Sequence, residues 1–281
     1  MEEKKLKEVY NSAIEEAKRH YENFPVVSVF LRKRLLPHVA LFYVFARRAD
    51  DIADEGNLTV EERLGKLRSY RNALSSALSG TFVSPFWEAL SHTISKFDLT
   101  PQYFYDLLHA FEIDVLKKRF DTQEELYRYC RLSANPVGRV MLEFYGIRSP
   151  LAFSKADAIT TALQLTNFWQ DVSVDLQKGR IYLPLEIMKK FDYSEEKFLK
   201  KEFDFRFAEL MRYEIGLTEK MFREGRELLN FLPFGLKIQI NATIYGGLEI
   251  LKKIKRIGFN VLNYRVKLNK MNFIWIFTKA F

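Results

Sequence analysis

The chain has 281 residues, 48% of them hydrophobic and 15% aromatic, with 44 Lys and Arg against 36 Asp and Glu for a net charge of +8. That length and composition suffice for a sizeable core, while the single cysteine, Cys130, excludes an intrachain disulfide and a cysteine-based zinc site. The basic balance suits an anionic partner (nucleic acid, an acidic membrane surface or a phosphorylated substrate) and equally a plain basic surface.

The N-terminal stretch MEEKKLKEVYNSAIEEAKRHYENF is charged and carries no apolar core of a signal peptide, and no run reaches 18 apolar residues. A cytoplasmic protein without a spanning helix is expected. From there on the dominant period is helical. Apolar residues recur at three and four in LKEVYNSAIEEAKRHYENF, RLLPHVALFYVFARRADDIADE, TVEERLGKLRSYRNALSSAL, SPFWEALSHTISKFD and PQYFYDLLHAFEIDVLKKRF. The same period runs through TQEELYRYCRLSANPVGRVMLEFYG, SKADAITTALQLTNFWQDVSVDLQKG, DFRFAELMRYEIGLTEKMFREGRELLNFL and LKIQINATIYGGLEILKKIKRIG. Thr59 with Glu62 has capping-box spacing, and Thr100 before Pro101 reads as an N-cap followed by proline. Gly56, Gly80, Gly146, Gly179 and Gly258 read as helix stops. GRIYLP is the best short extended candidate, limited by Pro184. The aromatic MNFIWIFTKAF is too short to span; it is expected to dock on the body, with insertion into a membrane interface as the alternative. The pattern predicts a single all-α domain over residues 1–281, with roughly eight to ten helices.

Two helices carry the polar chemistry. In FARRADDIADEG (45–56), four acids, Asp50, Asp51, Asp54 and Glu55, follow Arg47 and Arg48. Like charges one turn apart repel by a few tenths of a kcal/mol per pair. Such a cluster is either screened by water or neutralised by a cation. Tyr43, Arg47, Asp50 and Asp54 share one stripe, beside the small residues Ala46, Ala49 and Ala53; Asp51 and Glu55 point about 100° away. Periodicity leaves open which pair faces inward.

In QLTNFWQDVSVD (164–175), Gln164, Asn167, Phe168, Asp171 and Asp175 fall on one stripe of a helix otherwise apolar around most of its circumference. A helix apolar all round is normally buried, and a buried lone carboxylate costs several kcal/mol. The four histidines, His20, His38, His92 and His109, follow no metal-ligand spacing. A metal would therefore fall to the carboxylates, which favours a hard ion such as Mg²⁺. Two oxygen-bearing helices suit a diphosphate bridged by Mg²⁺, with aromatic faces to meet a carbocation left behind. Phe24, Phe45, Phe168 and Trp169 are the aromatic candidates, each equally readable as core.

At these residues the chain resembles the squalene/phytoene synthase family of the class I isoprenoid synthase fold, an all-α bundle around a central cavity, from about residue 20 to 270. YVFARRADDIADE is similar to the family's first aspartate-rich motif and QLTNFWQDVSVDLQKGRIYLP to its second. The resemblance implies metal–diphosphate binding by Asp50, Asp54, Asp171 and Asp175, with Asn167 among the metal ligands. It implies substrate contacts from Tyr43, Arg47, Gln164 and Asn167, and from Val137 and Gly138 of YCRLSANPVG. Tyr245 and Arg265 resemble the family's late tyrosine and basic residue. HYENFPVVS, DDIADEG, YCRLSANPVGR and LTNFWQDV point further to the hopanoid-pathway branch. Asn23-Phe24-Pro25 replaces the usual Ser-Phe-Ser-like stretch, and Gln170 replaces the usual arginine before the second motif. That branch ionises presqualene diphosphate with Mg²⁺, rearranges the cation and quenches it with water to give hydroxysqualene. Asn23, Gln164 and Asn167 are the polar candidates for directing that water. NADPH is not expected, and no GxGxxG follows a strand.

Partners implied are a prenyl diphosphate substrate, other squalene or hopanoid pathway enzymes, and peripheral membrane contact. The alternatives are a head-to-head prenyltransferase making squalene or phytoene, a non-catalytic scaffold of the same fold, and a nucleic-acid-binding module. The last is disfavoured because basic residues are spread among acids instead of gathered on one face.

Overall fold

The computed structural model describes residues 3–19 and 31–280. Among them are thirteen α-helices, a short 3₁₀ helix and no strand. The helices are α1 (Glu3–Arg19), α2 (Leu36–Asp54), α3 (Val60–Leu78), α4 (Pro85–Phe97), α5 (Gln102–Leu116), α6 (Gln123–Ser133) and α7 (Asn135–Phe144). They continue as α8 (Pro150–Gln177), α9 (Leu185–Lys190), α10 (Glu195–Leu199), α11 (Phe205–Gly225), the 3₁₀ turn Arg226–Asn230, α12 (Phe234–Arg256) and α13 (Lys270–Ala280). No helix of the described residues is long and apolar enough to cross a membrane.

Two compact units result: Met1–Leu116 with Pro136–Ser149, and Lys117–Asn135 with Pro150–Phe281. In the first, α2 is the central element, packed by α1, α3, α4 and α5. Its apolar positions bury Val39, Phe42 and Phe45. Phe45 meets Trp87 and Phe104 edge-on, at 6.2 and 5.2 Å between ring centroids, a geometry aromatic quadrupoles prefer. A polar network is buried in the same unit. The Tyr10 hydroxyl lies 2.8 Å from Thr93 Oγ1 and 3.0 Å from His92 Nδ1, and Thr93 Oγ1 lies 2.9 Å from His38 Nδ1.

In the second unit α8 is central, with α11 and α12 against it. Close approach is set by glycine: a Cβ on Gly225 would fall 2.6 Å from Ile159 and 3.0 Å from the Lys155 carbonyl, and one on Gly247 2.5 Å from the Phe222 ring. Trp169 is fully buried and donates its indole N–H to Thr218 Oγ1 at 2.9 Å, so its polar atom is satisfied.

Local signals resolve as follows. The capping box holds: Glu62 N–H donates to Thr59 Oγ1 (3.2 Å) and Thr59 N–H to Glu62 Oε2 (2.7 Å). All five stop glycines have positive φ, from 63° to 88°, the conformation glycine adopts without a Cβ penalty. Thr100 does something else with its hydroxyl, donating it to buried Glu143 at 2.6 Å. There are more helices than expected because two short ones, α9 and α10, are below the length at which a period registers, and because 123–144 breaks at Ala134. Pro136 causes that break: it lacks an N–H and clashes with the preceding turn, so it fits only the first turn of a new helix. GRIYLP supplies one isolated bridge, Ile181 to Arg119. The aromatic tail forms α13, which packs on α12 through buried Ile276 and Ala280 but leaves Met271, Ile274 and Trp275 exposed.

Candidate active site

The first acidic motif ends α2, in the first unit. Arg47 is the cation its neighbours use. Its guanidinium lies 3.5 Å from Asp50, 2.7 Å from Asp51 and 2.9 Å from Glu55, while being only 18% exposed itself. One turn of spacing puts Asp50 and Asp51 within reach of the fork, and Glu55, the C-cap residue two turns on, reaches back to it. This largely answers the repulsion problem posed by the sequence. Asp50, Asp51 and Asp54 are all half-buried and Glu55 is exposed, so the inward and outward pairs are less distinct than the helical wheel suggests. Tyr43 is half-buried on the same stripe.

The second motif lies in the C-terminal half of α8, in the second unit. Leu165, Thr166, Phe168, Trp169, Gln170 and Val172 are buried; Gln164, Asn167, Asp171 and Asp175 form a half-buried oxygen-rich line between them. Asp171 receives a bidentate pair from Arg265, with Nε to Oδ1 at 2.6 Å and Nη2 to Oδ2 at 3.0 Å. Two parallel charge-assisted bonds of this kind are the strong form of the contact. They hold the Arg265 guanidinium even more firmly protonated, with Asp175 adding to the effect. Gln170, next in the chain and fully inside, donates Nε2–H to the Val266 carbonyl at 2.8 Å.

Beside Asp175 is an aromatic cluster. Phe168 stacks on Tyr182 at 3.8 Å and 8° between planes, and Tyr129 and Phe120 complete the group. Phe168, Val172, Asp175, Arg180, Tyr182 and Phe198 line a small crevice. Of the aromatic candidates, Phe45 and Trp169 are core, Phe168 belongs to this cluster, and Phe24 lies outside the described residues.

The remaining predicted positions are distributed. Val137, exposed, and Gly138, half-buried, lie on α7 in the first unit. Tyr245, on α12, accepts a hydrogen bond from Arg226 at 2.8 Å and stands edge-on to Trp275. Asn23 lies outside the described residues. Sequence reasoning missed Tyr129, Tyr182 and Phe120 as a cluster; Tyr182 sits in GRIYLP, directly after the second motif, which was the available signal.

Within neither unit do three or more described His, Cys, Asp or Glu gather as a closed metal cage. The donor set nevertheless fits Mg²⁺. Each motif offers a carboxylate pair of hard oxygens, and Mg²⁺ typically takes one or two carboxylates and completes its shell with water and phosphate oxygens. Cys130, the one soft ligand, is buried and its thiol is pushed up to about 12 by desolvation.

An all-helical chain with two aspartate-bearing helices, each supplied with an arginine, has the fold of the class I isoprenoid synthases. A squalene synthase, HpnC, from Alicyclobacillus acidocaldarius superposes with a TM-score of 0.86 at 34% identity, over 91% of this chain and 96% of that one. A phytoene synthase from Arthrospira platensis is 30% identical over 236 residues, 79% of this chain and 76% of its own. A hydroxysqualene synthase from Rhodopseudomonas palustris is 36% identical over 169 residues, 59% and 56% of the two chains. The sequence model of squalene/phytoene synthases matches residues 17–272, across both units. The chain belongs to the squalene/phytoene synthase family and is an enzyme of that family.

Proposed function

We propose that this enzyme converts presqualene diphosphate to hydroxysqualene with Mg²⁺, releasing diphosphate. The observation that carries the reading is the oxygen line of α8, Gln164, Asn167, Asp171 and Asp175, with Arg265 paired to Asp171 and the stacked Phe168 and Tyr182 lining a crevice with Asp175. Mg²⁺ held by Asp50 and Asp54, and by Asn167, Asp171 and Asp175, would neutralise the leaving diphosphate as a Lewis acid. In the second unit Arg265 would offer its guanidinium fork to diphosphate oxygens, and the family resemblance gives Arg47 of the first unit a diphosphate-contacting role of its own. The C–O bond breaks with its electron pair leaving on diphosphate. The cyclopropylcarbinyl cation rearranges beside aromatic faces, and water adds at the cationic carbon and loses a proton. No reductant is consumed, so NADPH has no part. The branch choice is supported by Gln170, an uncharged residue at the position where the wider family pattern has arginine, and by the hydroxysqualene synthase relatives.

The second reading is condensation of two prenyl diphosphates to squalene or phytoene, favoured by the phytoene synthase relative. Purified protein incubated with Mg²⁺ and either presqualene diphosphate or farnesyl diphosphate separates the two. Hydroxysqualene and pyrophosphate from the first substrate alone are expected; abundant C30 product from farnesyl diphosphate alone overturns the branch and keeps the family. Asp50→Asn and Asp171→Asn are each expected to lose turnover with an unchanged circular dichroism spectrum.

The same reading places the enzyme peripherally on anionic lipid in the cytoplasm. α13 presents Met271, Ile274 and Trp275, one helix face of three apolar side chains, bordered by cations: Lys252 over the Trp275 ring (5.6 Å) and Arg226 over Tyr245 (5.1 Å). An apolar face rimmed by Lys and Arg suits a negatively charged bilayer surface. Sedimentation with phosphatidylglycerol vesicles, weakened by salt and by Ile274→Glu, is expected. No binding, or a concentration-dependent dimer abolished by the same change, overturns it.

A further inference from the structure

Arg265 and Asp171 are 94 residues apart in the chain, yet the guanidinium takes both carboxylate oxygens. This placement is built from below. Gln170 is 3% exposed, set among the apolar residues of α8, and its side-chain amide donates to the carbonyl of Val266, the residue after Arg265. Val266 is itself buried. The helix therefore grips the irregular segment at 266 and delivers the side chain at 265 to the adjacent position, 171. An arginine in place of Gln170 would bring a charge to this buried site; the neutral amide ties the segment down without one.

We propose that Gln170 is a positioning residue and that the Arg265–Asp171 pair is an exchangeable latch. A cation that takes Asp171 as ligand competes with Arg265, because each carboxylate oxygen already accepts from its fork and two cations on one carboxylate repel each other. The freed guanidinium, still tethered at Val266, is then beside Asp171 with its donors available for the diphosphate that accompanies the cation. The latch disfavours binding of the bare cation and favours the cation–diphosphate pair. This rests on the proposed diphosphate chemistry of the site.

The two effects have opposite signs, which a merely structural role would not produce. Titration calorimetry of the intact protein with Mg²⁺ alone, then with inorganic pyrophosphate at saturating Mg²⁺, reads both. Arg265→Gln is expected to bind Mg²⁺ alone more tightly by up to about fivefold, the upper range for one partly exposed ion pair, and pyrophosphate at least about tenfold more weakly. Gln170→Met, which keeps the volume and loses the donor, moves both constants in the same directions by less. Arg265→Lys, which keeps charge but not the fork, falls between. If the wild type binds Mg²⁺ with pyrophosphate but Arg265→Gln leaves Mg²⁺ affinity unchanged or lowers it, the latch is wrong and the proposed function stands. If the wild type binds neither, both fall.

Discussion

At the residue scale, Glu214 is the most informative group outside the site. It is fully buried on α11, its Oε2 accepts from Gln123 at 3.2 Å, and its Oε1 has no hydrogen-bond partner. Burial pushes its carboxyl up to about 7, against a partial opposing pull from Gln123 and Lys190. A folded-state value raised above the ordinary 4.5 stabilises the fold below pH 4.5, and that contribution is lost as pH rises towards 7. Glu214→Gln, neutral throughout, should therefore match the wild type near pH 4.5 and exceed it at pH 8. The gain should be on the order of 3 kcal/mol, seen as a melting temperature several degrees higher. An equal effect at both pH values would show that folding does not raise the pKa of this carboxyl.

At the element scale, α8, α11 and α12 meet at glycines. Gly225→Ala would push a methyl against the Lys155 carbonyl, which cannot rotate away, as well as against Ile159; Gly247→Ala meets only the outer edge of the Phe222 ring and a Leu163 methyl. Both should destabilise. Gly225→Ala should cost more, about 1–3 kcal/mol, readable as a lower denaturation midpoint at unchanged slope. The sequence revealed most of the long elements because a period of 3.6 summed over 15 or more residues is hard to counterfeit. It revealed α2 and α8 as bearers of carboxylate stripes for the same reason. It could not reveal that Arg265 meets Asp171, or that Gln170 holds Val266, since periodicity carries no information about residues 94 apart. Nor did it expose the Phe120–Tyr129–Phe168–Tyr182 cluster, whose members come from three separate stretches of chain. The break at Pro136 was legible in principle; the continuing apolar period on either side masked it.

At the scale of the whole molecule, the two units should respond to pH in opposite directions. In the first, His38 is pushed down to about 4 by burial, with Lys96 and His92 adding to the effect. Its folded value lies below the unfolded 6.5, so stability is full above pH 6.5 and is lost as pH falls towards 4. In the second unit Glu214 withdraws stability as pH rises from 4.5 to 7. Hydrogen exchange, corrected for the intrinsic pH dependence, should show α2 and α4 losing protection first on acidification, and α6 and α11 on moving to pH 8. Uniform change across both units would contradict these assignments.

The backbone crosses between the two units three times, at 116–117, 135–136 and 149–150. A gene cut after Leu116 would strip the first unit of α7, and with it Glu143, which accepts from both the N–H and the hydroxyl of Thr100 and from Arg148. The two Thr100 donors would lose a buried acceptor, at a cost of about 1–3 kcal/mol for each unsatisfied group. Because the units are interleaved, a break at any single internal point interrupts at least one of them.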